Sequence, residues 1–137
     1  MSILGIGVDA IEIARVRTAC TRTPGLLERL FTDGERARCT SRQGQWRFGG
    51  LAARFAAKEA VAKALGTGIR GFGWRDVEVV TDDLGKPAVQ LHAAADEVGA
   101  RLGVATVHVS LSTSTDLALA YVVLEGTARS GTGGRSS

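Results

Sequence analysis

The stretch L-A-A-R-F-A-A-K-E-A-V-A-K-A-L, residues 51–65, is the strongest helical pattern in the chain. Alanine, which has the highest helix propensity, dominates it, and no proline interrupts it. Apolar side chains recur at helical spacing, at Leu51, Phe55, Ala62 and Leu65. Gly66, directly after the pattern, is a typical helix stop. The stretch therefore predicts a long helix on which a sheet can pack.

Shorter elements are predicted on either side of this helix. Before it, we expect a strand at residues 3–8, a helix that begins at the acid-x-x-Glu pattern of residues 9–12, a short helix at 26–31, a third helix opened by the cap of residues 32–35, and a loop at 41–50. After it, we expect a hairpin of strands 77–81 and 88–91, a helix at 93–102, and strands at 106–111 and 118–125. This order predicts a single α+β domain over residues 1–125, with a mainly antiparallel sheet packed on the long helix. Residues 126–137 are rich in glycine and serine, and we expect a disordered tail there.

The bulk composition indicates a globular protein of the cytoplasm. The 137 residues are enough for one domain with a core, and 45% of them are hydrophobic. No apolar run approaches the roughly 20 residues that span a bilayer, and no basic leader followed by a long apolar region opens the sequence. Cys20 and Cys39 stand in no metal-ligand pattern, which predicts free thiols in a reducing compartment. We therefore expect a cytoplasmic protein without membrane association.

Positive charge is concentrated in one part of the sequence. Residues 13–54 contain nine arginines and three acidic residues, a local net charge of +6 in a chain whose net charge is +3. Such a block suggests an anionic partner, which could be nucleic acid, a membrane surface or an acidic protein. A solvated, arginine-rich surface would give the same pattern. Composition alone leaves these alternatives open.

Two carboxylates are candidate metal ligands. On the long helix Glu59 and Lys63 share a face, and they could form no more than a surface pair worth roughly 0.2–0.5 kcal/mol. Asp9 could likewise be only the N-cap of the first helix. However, Asp9 follows an apolar strand with two glycines, which leaves room beside its carboxylate. Brought together, Asp9 and Glu59 would suit Mg²⁺, with Lys63 and the amides of residues 66–68 holding the phosphates of a ligand.

Other common signatures are missing or out of context. The sequence has no Walker A motif and no nucleophile elbow. A G-x-G-x-x-G pattern at residues 66–71 follows a predicted helix instead of a strand, which argues against a dinucleotide fold. With only His92, His108 and two scattered cysteines, zinc ligation is not expected, and His108 is predicted to be structural.

Two separated motifs resemble those of one family. G-V-D-A-I-E-I-A-R at residues 7–15 and R-F-A-A-K-E-A-V-A-K-A-L-G-T-G at residues 54–68 are similar to the two signatures of the holo-[acyl-carrier-protein] synthases, the small 4′-phosphopantetheinyl transferases. The Gly85-Lys86-Pro87 turn and the segment H-V-S-L-S at residues 108–112 also resemble that family. The likeness extends over the chain up to residue 125 or so.

The resemblance implies an activity and a set of site residues. Coenzyme A would donate its 4′-phosphopantetheine arm to a serine of an apo acyl carrier protein, as in fatty-acid biosynthesis, and adenosine 3′,5′-bisphosphate would leave. Asp9 and Glu59 would hold Mg²⁺, Lys63 would bind the diphosphate as a third catalytic residue, and Glu59 is the nearest candidate for the base. The implied coenzyme A contacts are Arg54, Lys58, Lys63, Gly66, Gly68, Lys86, Pro87 and Thr113. A homotrimer with active sites shared between subunits is implied as well.

The resemblance also implies a partner for the arginine block, and at one position this sequence differs from the family's pattern. Acyl carrier proteins are acidic, and Arg15 and Arg22 of the first helix are the implied docking residues, with Arg29 a weaker candidate. Many members of the family carry a histidine on the 3′-phosphate of coenzyme A where this chain has Thr113. A hydroxyl can donate a hydrogen bond to phosphate, but it brings no positive charge. Arg54 is expected to carry more of that contact.

Two other functions compete with the transferase. A nucleic-acid-binding module would use the arginine block, but aromatic residues make up only 5% of the chain and no recognition motif is visible. A non-catalytic trimeric scaffold would leave Asp9 and Glu59 with structural roles only. The expected partners are therefore coenzyme A, an acyl carrier protein and further copies of the chain, without nucleic acid or membrane.

Overall fold

The computed structural model of the chain describes residues 1–68 and 71–127. Within these ranges the elements are β1 (Ile3–Glu12), α1 (Ile13–Arg22), α2 (Leu26–Leu30), α3 (Asp33–Arg38), α4 (Phe48–Leu65), β2 (Val77–Thr81), β3 (Pro87–Leu91), α5 (Ala93–Leu102), β4 (Val104–Thr113) and β5 (Leu117–Gly126). One turn of 3-10 helix, Trp74–Asp76, precedes β2. All strand pairs among the described residues are antiparallel, so the predicted α+β class with an antiparallel sheet is confirmed.

The strands form two sheets. One contains β1, β5 and β4 side by side in that order, and the other is the β2–β3 hairpin. In the larger sheet Asp9 pairs with Ala120, and Ala120 pairs with Leu111. On β5, every second residue on the side of Ala120 is buried: Ala118, Ala120, Val122 and Leu124. Because paired residues point to the same side of a sheet, Asp9 lies on the buried face, towards the core.

The long helix α4 is the centre of the core. Among the described residues there are two hydrophobic clusters, and each includes residues of α4. The predicted apolar stripe underestimates this burial: of residues 51–65, only Phe55, Glu59 and Lys63 are not buried. The sheet covers one side of the helix, and α1, α3 and β2 contact its other sides. Phe55, Glu59 and Lys63 are four residues apart, so they form a single accessible line along an otherwise enclosed helix.

Two glycines bring β1 against the backbone of α4. A Cβ atom at Gly5 would lie 2.1 Å from the carbonyl oxygen of Ala64, and one at Gly7 would lie 2.0 Å from that of Ala60. Two residues of a strand and four residues of a helix both advance by about 6–7 Å, so the contact repeats along both elements. Asp9 is the next residue on this face of β1, which places its carboxylate beside the accessible line of α4.

Replacing Gly7 with alanine should lower the free energy of unfolding by about 1–3 kcal/mol, because the helix backbone must move to admit the new methyl group. Urea denaturation at a fixed protein concentration measures this change. Gly73→Ala is the matched control, since a Cβ atom at Gly73 meets nothing within 4 Å. Equal stability of the two variants would contradict the close contact between β1 and α4.

The first predicted helix boundary is wrong. The acid-x-x-Glu pattern of residues 9–12 does not begin a helix, because β1 continues to Glu12 and α1 begins at Ile13. Pairing of residues 9–12 with β5 holds this segment extended. Sheet hydrogen bonds to a distant strand thus override a local capping signal, and Asp9 is not an N-cap.

Several other local predictions can be compared with the structure. Helix α4 begins at Phe48, inside the predicted loop at residues 41–50. The cap at Thr32 is confirmed, since Thr32 and Glu35 form a capping box, and the helix stop is confirmed, since Gly66 has φ 81°. Both cysteines are free thiols, as predicted. In the predicted tail, Gly126 ends β5 and residues 128–137 lie outside the described residues. Among the described helices, none combines the length and the hydropathy that crossing a bilayer requires.

Candidate active site

Asp9 of β1 and Glu59 of α4 lie close enough for their charges to interact. Burial raises the pKa of Glu59, the Asp9 carboxylate raises it further, and Lys63 opposes both effects in part. The Asp9 side chain is largely enclosed, with 17% of its surface exposed. The two carboxylates repel each other, and a divalent cation bound between them would offset this repulsion.

The chemistry of this pair suits Mg²⁺. Within residues 1–68 and 71–127, no three His, Cys, Asp or Glu side chains are grouped so that they could hold a metal ion. Mg²⁺ needs only one or two protein carboxylates, because it completes its octahedral shell with water and with phosphate oxygens of a substrate. Asp9 and Glu59 are therefore an adequate protein contribution for Mg²⁺, whereas structural zinc normally requires four ligands.

Lys63 belongs to the same cluster. Its Nζ donates hydrogen bonds to Oδ1 of Asp9 at 2.9 Å and to the carbonyl oxygen of Val8 at 3.1 Å. It therefore pairs with Asp9, where the sequence suggested a helical pair with Glu59. Its side chain is 54% exposed, and an ammonium group has three donors. The third donor can bind an oxygen of a ligand at the carboxylate pair.

The glycine turn after α4 differs from its predicted role. The amide of Gly66 donates to the carbonyl oxygen of Lys63 at 3.0 Å, and the amide of Gly68 donates to that of Ala62 at 3.2 Å. The prediction that these two amides hold phosphate is therefore corrected. Their hydrogen bonds close the last turn of α4, which ends the helix directly after Lys63.

The structure also corrects the prediction for Lys58. Its side chain is fully buried, and its Nζ donates to Oε1 of Glu35 at 2.8 Å and to the carbonyl oxygens of Trp74 and Val77. Glu35 Oε2 accepts a further hydrogen bond from the amide of Val79. Burial lowers the pKa of the Lys58 ammonium, and the Glu35 carboxylate opposes that shift. Lys58 ties α4 to α3 and β2, and all three donors of its ammonium group are engaged inside the protein.

A second group of predicted residues lines a separate cleft of about 490 Å³ between the β2–β3 turn, β4 and the helices α3 and α4. Arg54, Lys86 and Pro87 line this cleft, together with Arg38. Thr113 does not line the cleft. It is exposed at the end of β4, two residues after Leu111, which does line the cleft. The structure thus divides the predicted site residues into two clusters, one formed by Asp9, Glu59 and Lys63 and the other by Arg54, Lys86 and Pro87.

Comparison with known proteins decides the family. Residues 5–122 match the 4′-phosphopantetheinyl transferase superfamily. The chain belongs to this family. Over 123 residues it is 46% identical to a holo-[acyl-carrier-protein] synthase of Clostridium novyi, covering 90% of this chain and 88% of that protein.

Solved structures of the family have the same fold. The chain is similar to the holo-[acyl-carrier-protein] synthase of Neisseria meningitidis, with a TM-score of 0.80 and 36% identity over 90% of this chain and 99% of that one. The enzyme of Bacillus anthracis, described in complex with CoA (3′,5′-ADP), gives a TM-score of 0.73 at 36% identity, covering 91% of this chain and 98% of that one.

In this member of the transferase family, α1 borders an apolar cavity. The cavity has a volume of about 270 Å³ and lies between α1, α2 and α4. Phe55, the first residue of the accessible line on α4, lines it and packs on Trp74 with ring centroids 4.9 Å apart. Arg15 lines the same cavity, and Arg15 and Arg22 also share an open groove along α1. The two predicted docking arginines therefore lie on one surface, beside an apolar pocket.

Sequence reasoning missed three residues around these sites. Glu35 was recognised only as a helix cap, because nothing in the local pattern shows its pair with Lys58. Arg38 was one of nine arginines in the basic block, without a feature that distinguished it. No feature of the sequence distinguished Trp74 as a residue near a site. The two histidines lie elsewhere: His92 is 2.9 Å from Glu78, and His108 is 3.0 Å from Glu125.

Proposed function

We propose that the chain is a holo-[acyl-carrier-protein] synthase, which transfers 4′-phosphopantetheine from coenzyme A to a serine of an apo acyl carrier protein. The observation that carries this proposal is the accessible line of Phe55, Glu59 and Lys63 on a helix that is otherwise buried, with Asp9 bonded to its end. One end of the line borders an apolar cavity, and the other end is charged. The names of the related proteins state the same activity.

The proposed site assigns a task to each charged residue. Asp9 and Glu59 would hold Mg²⁺, which when bound supplies charge neutralisation for the diphosphate of coenzyme A. Lys63 donates a hydrogen bond to a diphosphate oxygen. Glu59 is the proposed acceptor of the proton of the carrier serine. The serine oxygen then bonds to the phosphorus that carries the pantetheine arm, and adenosine 3′,5′-bisphosphate leaves with the electron pair of the broken P–O bond.

A transfer assay tests this activity directly. Purified protein, coenzyme A, Mg²⁺ and an apo acyl carrier protein should give a mass increase of one phosphopantetheine group on the carrier, measured by intact-protein mass spectrometry. The increase should vanish with a carrier whose modified serine is replaced by alanine, and also when the chelator EDTA removes the metal. Absence of any mass increase with several apo carriers would refute the proposed function.

The carrier is proposed to dock on α1. Arg15 and Arg22 present positive charge there, and the neighbouring cavity can take an apolar side chain of the partner. Acidic carriers would be attracted by this surface, and such attraction weakens as salt screens it.

Charge reversal tests the docking surface. Arg15→Glu should raise the KM for the carrier by about tenfold or more at low salt, because it replaces attraction with repulsion, while the KM for coenzyme A stays unchanged. Steady-state kinetics at two salt concentrations measure both constants. Arg101→Glu, an exposed site on α5, is the control. Equal effects of the two substitutions would argue against docking on α1.

We also propose that the outer face of the larger sheet joins three copies of the chain. Leu4, Ile6 and Val8 of β1 are 40%, 69% and 45% exposed, and Tyr121, which pairs with Val8, is 55% exposed. An apolar face of this kind on a sheet is typical of a surface that other subunits cover. Sedimentation should give three times the chain mass, and Ile6→Glu should lower that mass.

A further inference from the structure

The cleft between α3, β4 and the β2–β3 turn is strongly cationic. Its lining includes Arg38, Arg54 and Lys86, and it contains no carboxylate. Three positive charges around one opening favour a doubly charged anion over a singly charged one. A phosphate monoester carries a charge of about −1.5 to −2 at pH 7, whereas each phosphate of a diphosphate diester carries less.

Arg54 forms the fixed wall of this cleft. It is 8% exposed, and its guanidinium donates to the carbonyl oxygen of Gly50 and to Oγ1 of Thr81, both at 3.1 Å. Its Nε is buried and has no hydrogen-bond partner among the described residues. Because two of its donors are engaged inside the protein, Arg54 offers a ligand fewer contacts than a free arginine would.

Arg38 is placed differently. It is the last residue of α3, it is exposed, and its side chain has no ion-pair or hydrogen-bond partner in the part of the chain that the structure describes. Arg36, on the same helix, is already paired with Asp33 at 2.6 Å and with the carbonyl oxygen of Phe31 at 2.9 Å. Of these two arginines of α3, only Arg38 lines the cleft.

We propose that Arg38 determines specificity for the 3′-phosphate of coenzyme A. This inference rests on the proposed function, since coenzyme A supplies both a diphosphate and a separate phosphate monoester. Asp9, Glu59 and Lys63 take the diphosphate, which leaves the cationic cleft for the monoester. Thr113 lies beyond the cleft and is uncharged, so Arg38 supplies a positive charge that Thr113 cannot.

Equilibrium binding without the carrier protein tests this proposal independently of turnover. Isothermal titration calorimetry with Mg²⁺ would compare coenzyme A with 3′-dephospho-coenzyme A on the wild-type chain, on Arg38→Gln and on Arg42→Gln. Arg42 is the matched control, because it is an exposed arginine of the same basic segment that does not line the cleft. Circular dichroism would verify that each variant is folded.

We expect Arg38→Gln to weaken binding of coenzyme A by about tenfold, the size of one charge-assisted hydrogen bond, and to leave binding of the dephospho compound unchanged. Arg42→Gln should change neither. The inference is overturned if Arg38→Gln weakens both ligands equally, if it weakens neither, or if the wild-type chain binds both ligands with equal affinity. Failure of the proposed function would appear separately, if the wild-type protein catalysed no transfer from coenzyme A to any carrier.

Discussion

Replacing Glu59 with glutamine should lower the turnover number for phosphopantetheine transfer by at least about 100-fold and leave the fold intact. The amide keeps the size of the side chain but removes the charge that we propose to bind Mg²⁺ and the base that we propose to accept the serine proton. Because Glu59 is only partly buried and repelled by Asp9, the neutral side chain should not destabilise the protein. Transfer kinetics and urea denaturation measure the two effects.

The matched control is Glu97→Gln, which makes the same chemical change at an exposed site on α5. It should leave the turnover number within about twofold of wild type, as expected for a surface change remote from the site. Asp9→Asn should reduce turnover as Glu59→Gln does. If either active-site variant kept turnover near the wild-type value, the metal assignment would be wrong.

The raised pKa of Glu59 gives this first prediction a pH dependence. Only the carboxylate form binds Mg²⁺ or accepts a proton, so activity should decrease as the pH falls through the pKa of Glu59. Because burial and Asp9 raise that pKa in the metal-free protein, the affinity for Mg²⁺, and with it the activity at low Mg²⁺ concentration, should begin to fall above the pH range of an ordinary glutamate. A carboxyl-carbon NMR titration should show a lower pKa for Glu59 in Asp9→Asn, where the repulsion is absent.

Replacing Lys58 with methionine should lower the free energy of unfolding by about 3–5 kcal/mol, because it leaves the Glu35 carboxylate charged and unpaired in the core. Both side chains of the pair have no exposed surface. Methionine keeps most of the apolar volume of lysine, so the loss reports chiefly on the charge and its hydrogen bonds. Urea denaturation at fixed protein concentration measures it.

The double variant Lys58→Met/Glu35→Gln should recover part of this loss, because no buried charge is left without a partner. Asp33→Asn, which breaks the exposed pair between Arg36 and Asp33, is the control and should cost less than about 1 kcal/mol. A loss for Lys58→Met as small as that of the control would show that the buried pair does not hold α4 in place.

Local patterns were sufficient where local interactions decide the structure. The alanine-rich composition of residues 51–65, the glycine after them and the Thr32–Glu35 capping box each act within a few residues of sequence, and the structure contains all three. The β2–β3 hairpin and α5 were predicted for the same reason. The acid-x-x-Glu pattern at Asp9 failed because a partner more than 100 residues away, β5, determines the conformation there.

The sequence by itself determined the family of this protein, its helical centre and the residue types of the proposed metal–phosphate site. Tertiary structure alone decided which charges are available to a ligand. Lys58 and Glu59 are neighbours in sequence, yet their side chains leave α4 on different sides, so one is buried against Glu35 and the other faces Asp9. Lys63, likewise, pairs with β1 instead of its own helix. The physical reason is that burial and ion pairing depend on contacts across the fold, and these depend on how closely Gly5 and Gly7 let β1 approach the helix.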